Sequence, residues 1–303
     1  MPSNPSAEER SSWPPLPEPV LAGIYDNHTH LNYVAEEQGQ SWREQLNWAE
    51  QSGVRGVITV GVDVRTSRFA AAVAAEDSRV LAALALHPNT AAQMAAAEVD
   101  EALHEFARLA QGSRVAAIGE TGLDYFRTEG EAALARQLSS FEKHIELAKQ
   151  LDLPMQIHDR EAHDDVVATL QRVGAPERTV FHCFSGDVQL AEIAAANGWY
   201  CSFAGTVSFK NAQGLRDALS VLPPELVLIE TDAPYLTPHP YRGRPNASYL
   251  IVHTLRAMAA HLGEDEDDLA EQLNANTEAV YGSWDDRDER EGFREVRDRW
   301  AEG

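Results

Sequence analysis

Eight short apolar runs alternate with amphipathic segments along most of the chain, and this order constrains the fold more than any other feature. Each run has four to seven residues, is rich in Val, Ile or Leu, and shows little polar alternation. Such runs are typical of strands that are buried on both faces. The predicted strands are Gly23–His28, Val54–Val60, Val80–Leu86, Val115–Glu120, Leu153–His158, Thr179–His182, Trp199–Phe203 and Leu226–Glu230.

Segments with the apolar spacing of helices fill the intervals. The predicted helices are Trp42–Gln51, Arg65–Asp77, Glu98–Ala110, Glu131–Leu151, His163–Val173, Val188–Asn197, Ala212–Leu222 and Tyr249–Leu262. Eight strand–helix units in strict order predict an α/β fold, a single (β/α)8 TIM barrel. The alternative is a doubly wound open sheet, which usually has fewer units and a glycine-rich turn after its first strand. The first predicted strand is followed by Thr29 and His30 and has no such turn.

The two ends of the chain depart from this pattern. Residues 1–20 are polar and proline-rich, which predicts a flexible arm and does not resemble a secretory signal. Residues 21–283 are the predicted barrel domain, in which two short helices after Leu262 are expected to close the barrel. Residues 284–303 are a predicted acidic tail. The tail is either solvated or a short docked helix with Phe293, Val296 and Trp300 on one side.

Charge and composition restrict the classes of function. The 303 residues include 25 basic and 48 acidic side chains, which gives a net charge of −23. This charge argues against a protein that holds nucleic acid by a broad basic face, but not against a nuclease that grips phosphate at one spot through metal ions. The absence of an apolar run long enough to span a bilayer predicts no membrane partner. Two cysteines cannot frame a disulfide scaffold and indicate a cytoplasmic protein.

Histidine and carboxylate residues stand at the carboxyl ends of five predicted strands. His28 and His30 are two residues apart, so on a strand both imidazoles face the same side. In a barrel all these strand ends converge on one mouth, where barrel enzymes place their reactive groups. Grouping so many polar side chains in one pocket is costly unless ions or partners satisfy them. The candidate metal ligands are His28, His30, Glu120, His158, His182 and Asp232.

This ligand set is larger than one tetrahedral zinc ion requires, so we expect two divalent metal ions, Mg²⁺, Mn²⁺ or Zn²⁺. Glu120 is expected to bridge them with its two oxygens. The expected sets are His28, His30, Asp232 and Glu120 for one ion, and Glu120, His158 and His182 for the other. Two ions about 3.5–4 Å apart clamp both sides of a displacement and activate a shared water. Asp232 is the expected base for that water, so Asp232 and Glu120 are the candidate catalytic residues.

Amidohydrolases use a comparable ligand scheme and commonly bridge their metals with a carbamylated lysine. The lysines of this chain are Lys143, Lys149 and Lys210. The first two lie in the predicted helix after strand four and the third follows strand seven, so none ends strand four or five. Glu120 therefore takes the bridging place.

The strings around these residues closely resemble the TatD family of metal-dependent deoxyribonucleases. The resemblance runs in order from about residue 23 to residue 281. It implies a barrel of the metal-dependent hydrolase type, a pair of divalent metal ions, and 3′–5′ exonucleolytic hydrolysis of phosphodiester bonds in single-stranded or frayed DNA. The matching segments are Asp26–Leu31, Leu86–Pro88, Ile118–Tyr125, Pro154–Arg160, His182–Gly186 and Glu230–Leu236.

One segment departs from the family pattern. Family members often continue Arg-Gly-x-x-Asn-Glu-Pro after the strand-eight aspartate, whereas Arg242–Ser248 of this chain ends Asn-Ala-Ser. The missing glutamate and proline put the local support of the site in doubt. Every proposed metal ligand is unaffected.

Side chains beside the ligands favour phosphate over other substrates, because the guanidinium fork suits phosphate oxygens. Arg160 follows His158 by two residues, and Arg242 and Arg244 lie in the loop after strand eight. The alternative is that these arginines balance an acidic surface. Ser185 and Gly186 are expected to open a helix whose free N–H groups hold an anion. The expected substrate contacts are Arg160, His87, Arg127, Ser185 and Arg242.

Several of these residues have a second interpretation. A structural role for His87 is equally open. The aromatic residues near the mouth either stack on bases or pack within their loops. They are Tyr125, Phe126, Tyr235 and Tyr241.

Three functions compete at this point. The first is the metal-dependent deoxyribonuclease. The second is an amidohydrolase-like enzyme acting on a small phosphoester, lactone or amide, for which the same ligands would serve. The third, a non-catalytic binding barrel, predicts gaps in the ligand set, and the sequence has none.

Overall fold

The chain folds as a single sheet of eight parallel strands, with helices in the connections. The computed structural model describes residues 11–285. Each strand pairs with the next in sequence order, as expected when every crossover carries a helix. The strands are β1 (Ile24–Thr29), β2 (Val54–Val60), β3 (Val80–Leu84), β4 (Val115–Asp124), β5 (Met155–Arg160), β6 (Thr179–Phe181), β7 (Tyr200–Phe203) and β8 (Val227–Ile229).

The sheet closes where the segment after β8 meets β1. Thr29 forms a parallel bridge with Ala233. The backbone N–H of His30 donates to the Ala233 carbonyl at 2.8 Å, and the N–H of Asp232 donates to the His28 carbonyl at 2.9 Å. The prediction of a (β/α)8 TIM barrel is confirmed, and its closing seam carries three of the predicted ligands.

Helices surround the barrel. They are α1 (Leu31–Gln38), α2 (Trp42–Gln51), α3 (Val64–Glu76), α4 (Pro88–Ala91), α5 (Ala96–Leu109), α6 (Glu131–Leu151), α7 (His163–Val173), α8 (Val188–Ala196), α9 (Gln213–Val221), α10 (Ile251–Leu262) and α11 (Glu266–Tyr281). Within the described residues, no helix is long and apolar enough to cross a membrane.

Three features of the helical layer differ from the sequence prediction, one of them being the short helix α4, which was not predicted. Helix α1 was not predicted, because it follows the β1 ligands directly and its N-cap residue makes no side-chain capping bond that would signal a start. The two short helices expected after Leu262 are one helix of 16 residues, α11. Its N-cap Asp265 accepts from the N–H groups of Asp267 and Asp268, and no glycine interrupts the segment before Gly282.

Strand β4 is longer than predicted, and this changes the position of Glu120. The prediction ended the strand at Glu120, whereas β4 continues to Asp124 beside the end of β5. Gly122 makes this approach possible at a φ of +142°, because a Cβ at that position would lie 2.1 Å from the His158 carbonyl oxygen. Glu120 therefore lies within a paired strand, and the strand places it inside the mouth.

Two apolar layers hold these elements. The larger cluster lies between the strands and the surrounding helices. A second cluster joins side chains of β1, β2, β3, β4, β6 and β8 to the end of α11. Trp284 closes it by stacking on Tyr25 with ring centroids 4.2 Å apart. The mouth at the carboxyl ends of the strands stays available for polar groups.

The described part of the expected arm, residues 11–20, lies against the barrel. Pro14 and Val20 are buried, and Trp13 packs edge-on against Trp48 with ring centroids 5.1 Å apart. The division into an arm, a barrel and an acidic tail stays a prediction. The tail helix expected around Phe293 lies outside the described residues.

Candidate metal centre

Glu120 is the centre of the polar cluster in the mouth, and its two oxygens face different histidines. Its Oε1 lies 3.5 Å from His30 Nε2 and 3.9 Å from His28 Nε2. Its Oε2 lies 2.8 Å from His182 Nε2 and 3.2 Å from His158 Nδ1. One carboxylate thus joins two pairs of imidazoles, as a bridging ligand must.

Asp232 completes the group on the Oε1 side. Its Oδ1 lies 3.8 Å from His28 Nε2 and 3.5 Å from His30 Nε2. The Asp232 backbone has a φ of +52°, which turns the chain sharply at the end of β8. Ligand atoms of His28, His30 and Asp232 all lie within 4.8 Å of one another. We call these three residues the seam set, because they flank the closing seam.

A further histidine, His87, lies beside the predicted ligands on the Oε2 side. Glu120, His158 and His87 offer ligand atoms within 4.8 Å of one another, and so do Glu120, His182 and His28. His87 Nε2 lies 3.9 Å from Glu120 Oε2, and its ring is 4.4 Å from the His158 ring. The His87 Nδ1 accepts from the Asn89 N–H at 3.0 Å, so the proton of this ring is on Nε2 and His87 faces Glu120 with an N–H, not with a lone pair; a substrate contact stays its predicted role. We call His158 and His182 the far set.

Hydrogen bonds orient the two imidazoles of the seam set for metal binding. His28 Nδ1 lies 2.9 Å from the Gln156 side-chain oxygen, and His30 Nδ1 lies 3.0 Å from the Val60 carbonyl oxygen. Both oxygens only accept, so each Nδ1 carries the proton and each Nε2 presents a lone pair to the cluster.

His28 Nε2 is the decisive atom for testing whether a cation fits. It is buried and has no hydrogen-bond partner among the described residues. A buried nitrogen without a partner costs free energy unless something satisfies its lone pair. A divalent cation held also by the Glu120 and Asp232 carboxylates would satisfy it, so the residues present fit a metal ion.

Carboxylates perform the same orienting task in the far set. His158 Nε2 lies 3.2 Å from Asp124 Oδ2, and His182 Nδ1 lies 3.2 Å from Glu230 Oε1. The nitrogen opposite each of these contacts faces Glu120. Sequence reasoning missed Asp124 and Glu230, although both stand in the strings that carry the family resemblance. Their signal is an acidic residue close in sequence to a predicted ligand.

The ionisation of the cluster is set by burial and by mutual charge. Burial lowers the pKa of His28 well below its usual range. Burial disfavours the charged form of Glu120, but His182 and His87 outweigh it and hold the pKa of this carboxyl well below its usual range. Burial likewise opposes protonation of His182, but Glu120 and Glu230 raise its pKa. A neutral His28 beside an ionised Glu120 is the state that binds a cation.

Asp26 is a further buried carboxyl that the sequence analysis missed. Its Oδ2 accepts from the Thr231 hydroxyl at 2.6 Å, and its Oδ1 accepts from the Thr231 N–H at 2.9 Å. Burial raises the pKa of Asp26 to about 7. These bonds tie β1 to the residue that precedes Asp232, so Asp26 positions Asp232 through the backbone.

The predicted substrate contacts are distributed over the rim. Arg160 lies at the end of β5 with its guanidinium 4.1 Å from the Phe126 ring centroid. Arg242 is exposed and lies 4.3 Å over the Phe209 ring. Arg127 is exposed, and its backbone N–H donates to Asp124 Oδ1 at 2.8 Å. The predicted contacts thus supply three guanidinium groups and not a broad basic face.

The prediction of an anion site at a helix that opens at Ser185 and Gly186 was wrong about where the helix begins. The helix begins at Val188, and Asp187 is its N-cap, whose side chain accepts from the Leu190 N–H. A carboxylate therefore already occupies the helix N-terminus, which disfavours an anion there. The Ser185 hydroxyl donates to the Asp159 carbonyl at 3.0 Å and remains exposed at the rim.

The four aromatic residues near the mouth divide into two kinds. Phe126 is 55% exposed and Tyr235 is 45% exposed, so both offer a face to a ligand. The Tyr125 hydroxyl donates to Asp165, and Tyr241 packs 5.2 Å from the His253 ring. Tyr125 and Tyr241 are thus held by contacts within the protein.

Comparisons with known proteins agree with this geometry. The model of the TatD-related DNase family matches residues 25–282. The chain belongs to the TatD-related DNase family. It is 40% identical over 262 residues to a Mycobacterium tuberculosis protein described as an uncharacterized metal-dependent hydrolase TatD, covering 86% of this chain and 98% of that one. A Bacillus subtilis relative, the uncharacterized metal-dependent hydrolase YabD, is 34% identical over 78% of this chain and 90% of its own length.

A solved structure shows the same architecture. The crystal structure of YjjV, a TatD homologue from Escherichia coli, superposes with a TM-score of 0.78 at 29% identity, over 86% of this chain and 98% of that one. The TatD-family chain is accordingly a metal-dependent hydrolase with His, Glu and Asp clusters that fit divalent metal ions.

Proposed function

We propose that this TatD-family hydrolase is a dinuclear deoxyribonuclease that removes nucleotides from the 3′ end of single-stranded or frayed DNA. The observation that carries the proposal is the position of Glu120, whose Oε1 faces the seam set while its Oε2 faces the far set. A single shared carboxylate between two donor sets is the arrangement that two adjacent cations require. The family to which the chain belongs supports DNA as the substrate.

The proposed division of labour follows from the ligand sets. The cations, when bound, would polarise the phosphate and make a water more acidic. Asp232 is proposed to accept the proton of that water, because its side chain is 13% exposed, while His28 and Glu120 are nearly or fully buried. Glu120 stays ionised, and its two oxygens keep the seam set and the far set in contact with one carboxylate.

Affinity for DNA is proposed to come from the rim. Arg160 and Arg242 each lie over an aromatic ring, which holds the guanidinium plane in place for a phosphate. Phe126 and Tyr235 offer exposed ring faces for unpaired bases. A chain with a net charge of −23 would then grip a strand end locally and repel duplex DNA elsewhere.

The proposal is tested with purified, metal-stripped protein to which Mg²⁺, Mn²⁺ or Zn²⁺ is returned. Elemental analysis before stripping identifies the bound metal. We expect release of mononucleotides from 3′-labelled and 5′-labelled single-stranded oligonucleotides in a pattern that reports digestion from the 3′ end. Failure to release nucleotides with any metal would overturn the proposal.

A second candidate is a hydrolase that acts on a small phosphoester, lactone or amide in the same site. The strong negative charge favours it, because a small substrate needs no extended cationic surface. A panel of small phosphodiester, lactone and amide substrates in the same assay separates the two. Turnover of one of these together with intact oligonucleotides would establish the second candidate. A cytoplasmic location remains our prediction, based on the two cysteines, which are both free.

A further inference from the structure

The segment 11–20 lies outside the part of the chain that matches the family, yet three of its hydrogen bonds come from one loop of the mouth. This loop, residues 236–247, follows β8 and carries Arg242. The Arg244 guanidinium donates to the Ser12 carbonyl at 3.1 Å, to the Ser12 hydroxyl at 3.1 Å and to the Trp13 carbonyl at 2.7 Å. Arg244 is therefore committed to the N-terminal segment and not to a substrate.

The same segment is fastened to the barrel behind the loop. The Tyr249 hydroxyl donates to the Pro14 carbonyl at 2.7 Å. Trp13 packs, together with Trp48 and Tyr241, on a small apolar cluster. That cluster contains Ala233, which follows Asp232 directly, and it contains Ala247 at the end of the loop. Segment and loop thus share one apolar support.

Ala247, the last residue of the loop, is fully buried in this cluster. The end of the loop and Trp13 of the N-terminal segment therefore pack on the same apolar side chains.

The loop is also held on both sides of Arg242. On the N-terminal side, the His239 N–H donates to the Ser208 hydroxyl at 2.8 Å, and Tyr241 packs on His253. Asn246 is buried, and its amide donates to the Thr231 and Tyr235 carbonyls, which secures the end of the loop. The Thr237 hydroxyl donates to the Arg244 carbonyl at 2.6 Å. Arg242, between these anchors, is exposed, and its guanidinium pairs with no carboxylate in the described chain. The backbone that carries Arg242 is therefore held on its C-terminal side by the contacts of Arg244, two residues along.

We propose that segment 11–20 positions the substrate-binding loop 236–247, and that Arg244 is the positioning residue through which it acts. The proposal rests on the proposed function in one respect, namely that a phosphate-bearing substrate uses this mouth. Losing the Arg244 contacts would leave the metal ligands intact, but the Arg242 side chain would then move over a wider range of positions. Substrate binding would then weaken, while the chemical step would be little affected.

The test compares the variants Arg244→Ala, Trp13→Ala and the double variant with wild-type protein on a single-stranded oligonucleotide. We expect KM to rise about three- to tenfold in each single variant, with kcat within about twofold and the metal content unchanged. The double variant should show a KM no higher than the worse single variant, because both changes release the same loop. The conservative variant Arg244→Lys should show a smaller rise, since an ammonium still reaches one acceptor.

Arg256→Ala is the matched control. Arg256 donates to the Glu18 carbonyl and pairs with Glu266, so it anchors the same segment at its other end without touching loop 236–247. Its KM should stay within about twofold of wild type. A KM that changes equally in Arg256→Ala and Arg244→Ala would overturn the proposal.

Hydrogen exchange of the loop amides gives a readout that does not require activity. We expect faster exchange at residues 236–247 in Trp13→Ala and Arg244→Ala, with unchanged exchange in β4 and β5. Unaltered loop exchange, or loss of metal together with kcat, would overturn the proposal. If wild-type protein cleaves no oligonucleotide, the proposed function fails, and the exchange experiment alone decides this inference.

Discussion

The seam set and the far set face the same carboxylate, but the groups behind their histidines differ. Neutral oxygens, those of the Gln156 side chain and the Val60 backbone, hold the seam imidazoles. Carboxylates, those of Asp124 and Glu230, hold the far imidazoles that contact Glu120. A carboxylate behind an imidazole makes the ring more basic and adds negative charge to the site, whereas a neutral acceptor only fixes its orientation. The two halves should therefore respond differently to substitution.

The largest loss of activity is expected from a change at Glu120, the carboxylate that both sets contact. Glu120→Gln removes the charge that both sets share and places an amide NH2 against at least one imidazole lone pair. We expect kcat to fall by about a thousandfold or more and both metals to bind weakly. Activity assays combined with elemental analysis measure the two effects. Glu192→Gln, an exposed glutamate of α8, is the control, and a Glu120 variant that keeps its full metal content and activity would contradict the bridging role.

A smaller loss of activity is expected from a change confined to the seam set. Asp232→Asn keeps the shape of the side chain but removes its capacity to accept a proton. We expect the fold to be retained and kcat to fall by about 10²–10³, which lies within the typical contribution of a general base. Circular dichroism and the pH profile of kcat check this prediction. Near-wild-type activity in this variant would show that the base is misassigned.

The carboxylates behind the far imidazoles provide the direct test of the difference between the far set and the seam set. Glu230→Gln keeps a hydrogen-bond acceptor beside His182 Nδ1 but removes the charge. We expect metal affinity of the far set to fall by about tenfold, with the seam set unchanged. Calorimetric titration of metal-stripped protein should resolve one weakened site. Glu225→Gln, an exposed residue close to β8, is the matched control, and equal weakening of both sites would remove the distinction.

The smallest effect concerns Asp26, the buried carboxyl behind the seam set. Its pKa in the folded protein is about 7 against an unfolded value of 3.8, so folding favours its protonated form. The stability that it contributes is fully present below about pH 4 and is lost as the pH rises to about 7. Asp26→Asn should therefore remove this component, so the difference in unfolding temperature from wild type should change by a few degrees between these pH values. A difference that does not vary with pH would contradict the raised pKa.

Much of the fold was predictable because its signals are local. The runs Val54–Val60 and Trp42–Gln51 have the same bounds in the sequence prediction and in the structure. Buried parallel strands and amphipathic helices each leave a periodicity within a few residues. Helix α1 has only 8 residues and no capping side chain, so it left no comparable signal. The extension of β4 to Asp124 depends on pairing with β5, which a local pattern does not report.

The sequence by itself determined the eightfold order of the barrel and the identity of six candidate ligands, because parallel strands in a barrel bring their carboxyl ends to one mouth. Only the tertiary structure decided which ring nitrogen of each histidine faces Glu120, that His87 lies against Glu120, and that Arg244 contacts the N-terminal segment. These features rest on hydrogen bonds between residues far apart in sequence, such as His182 with Glu230 and Arg244 with Trp13. Whether a hydrogen bond forms depends on differences of a few tenths of an ångström in the donor–acceptor distance. The packing of whole elements sets that distance, and no periodicity in the sequence records it.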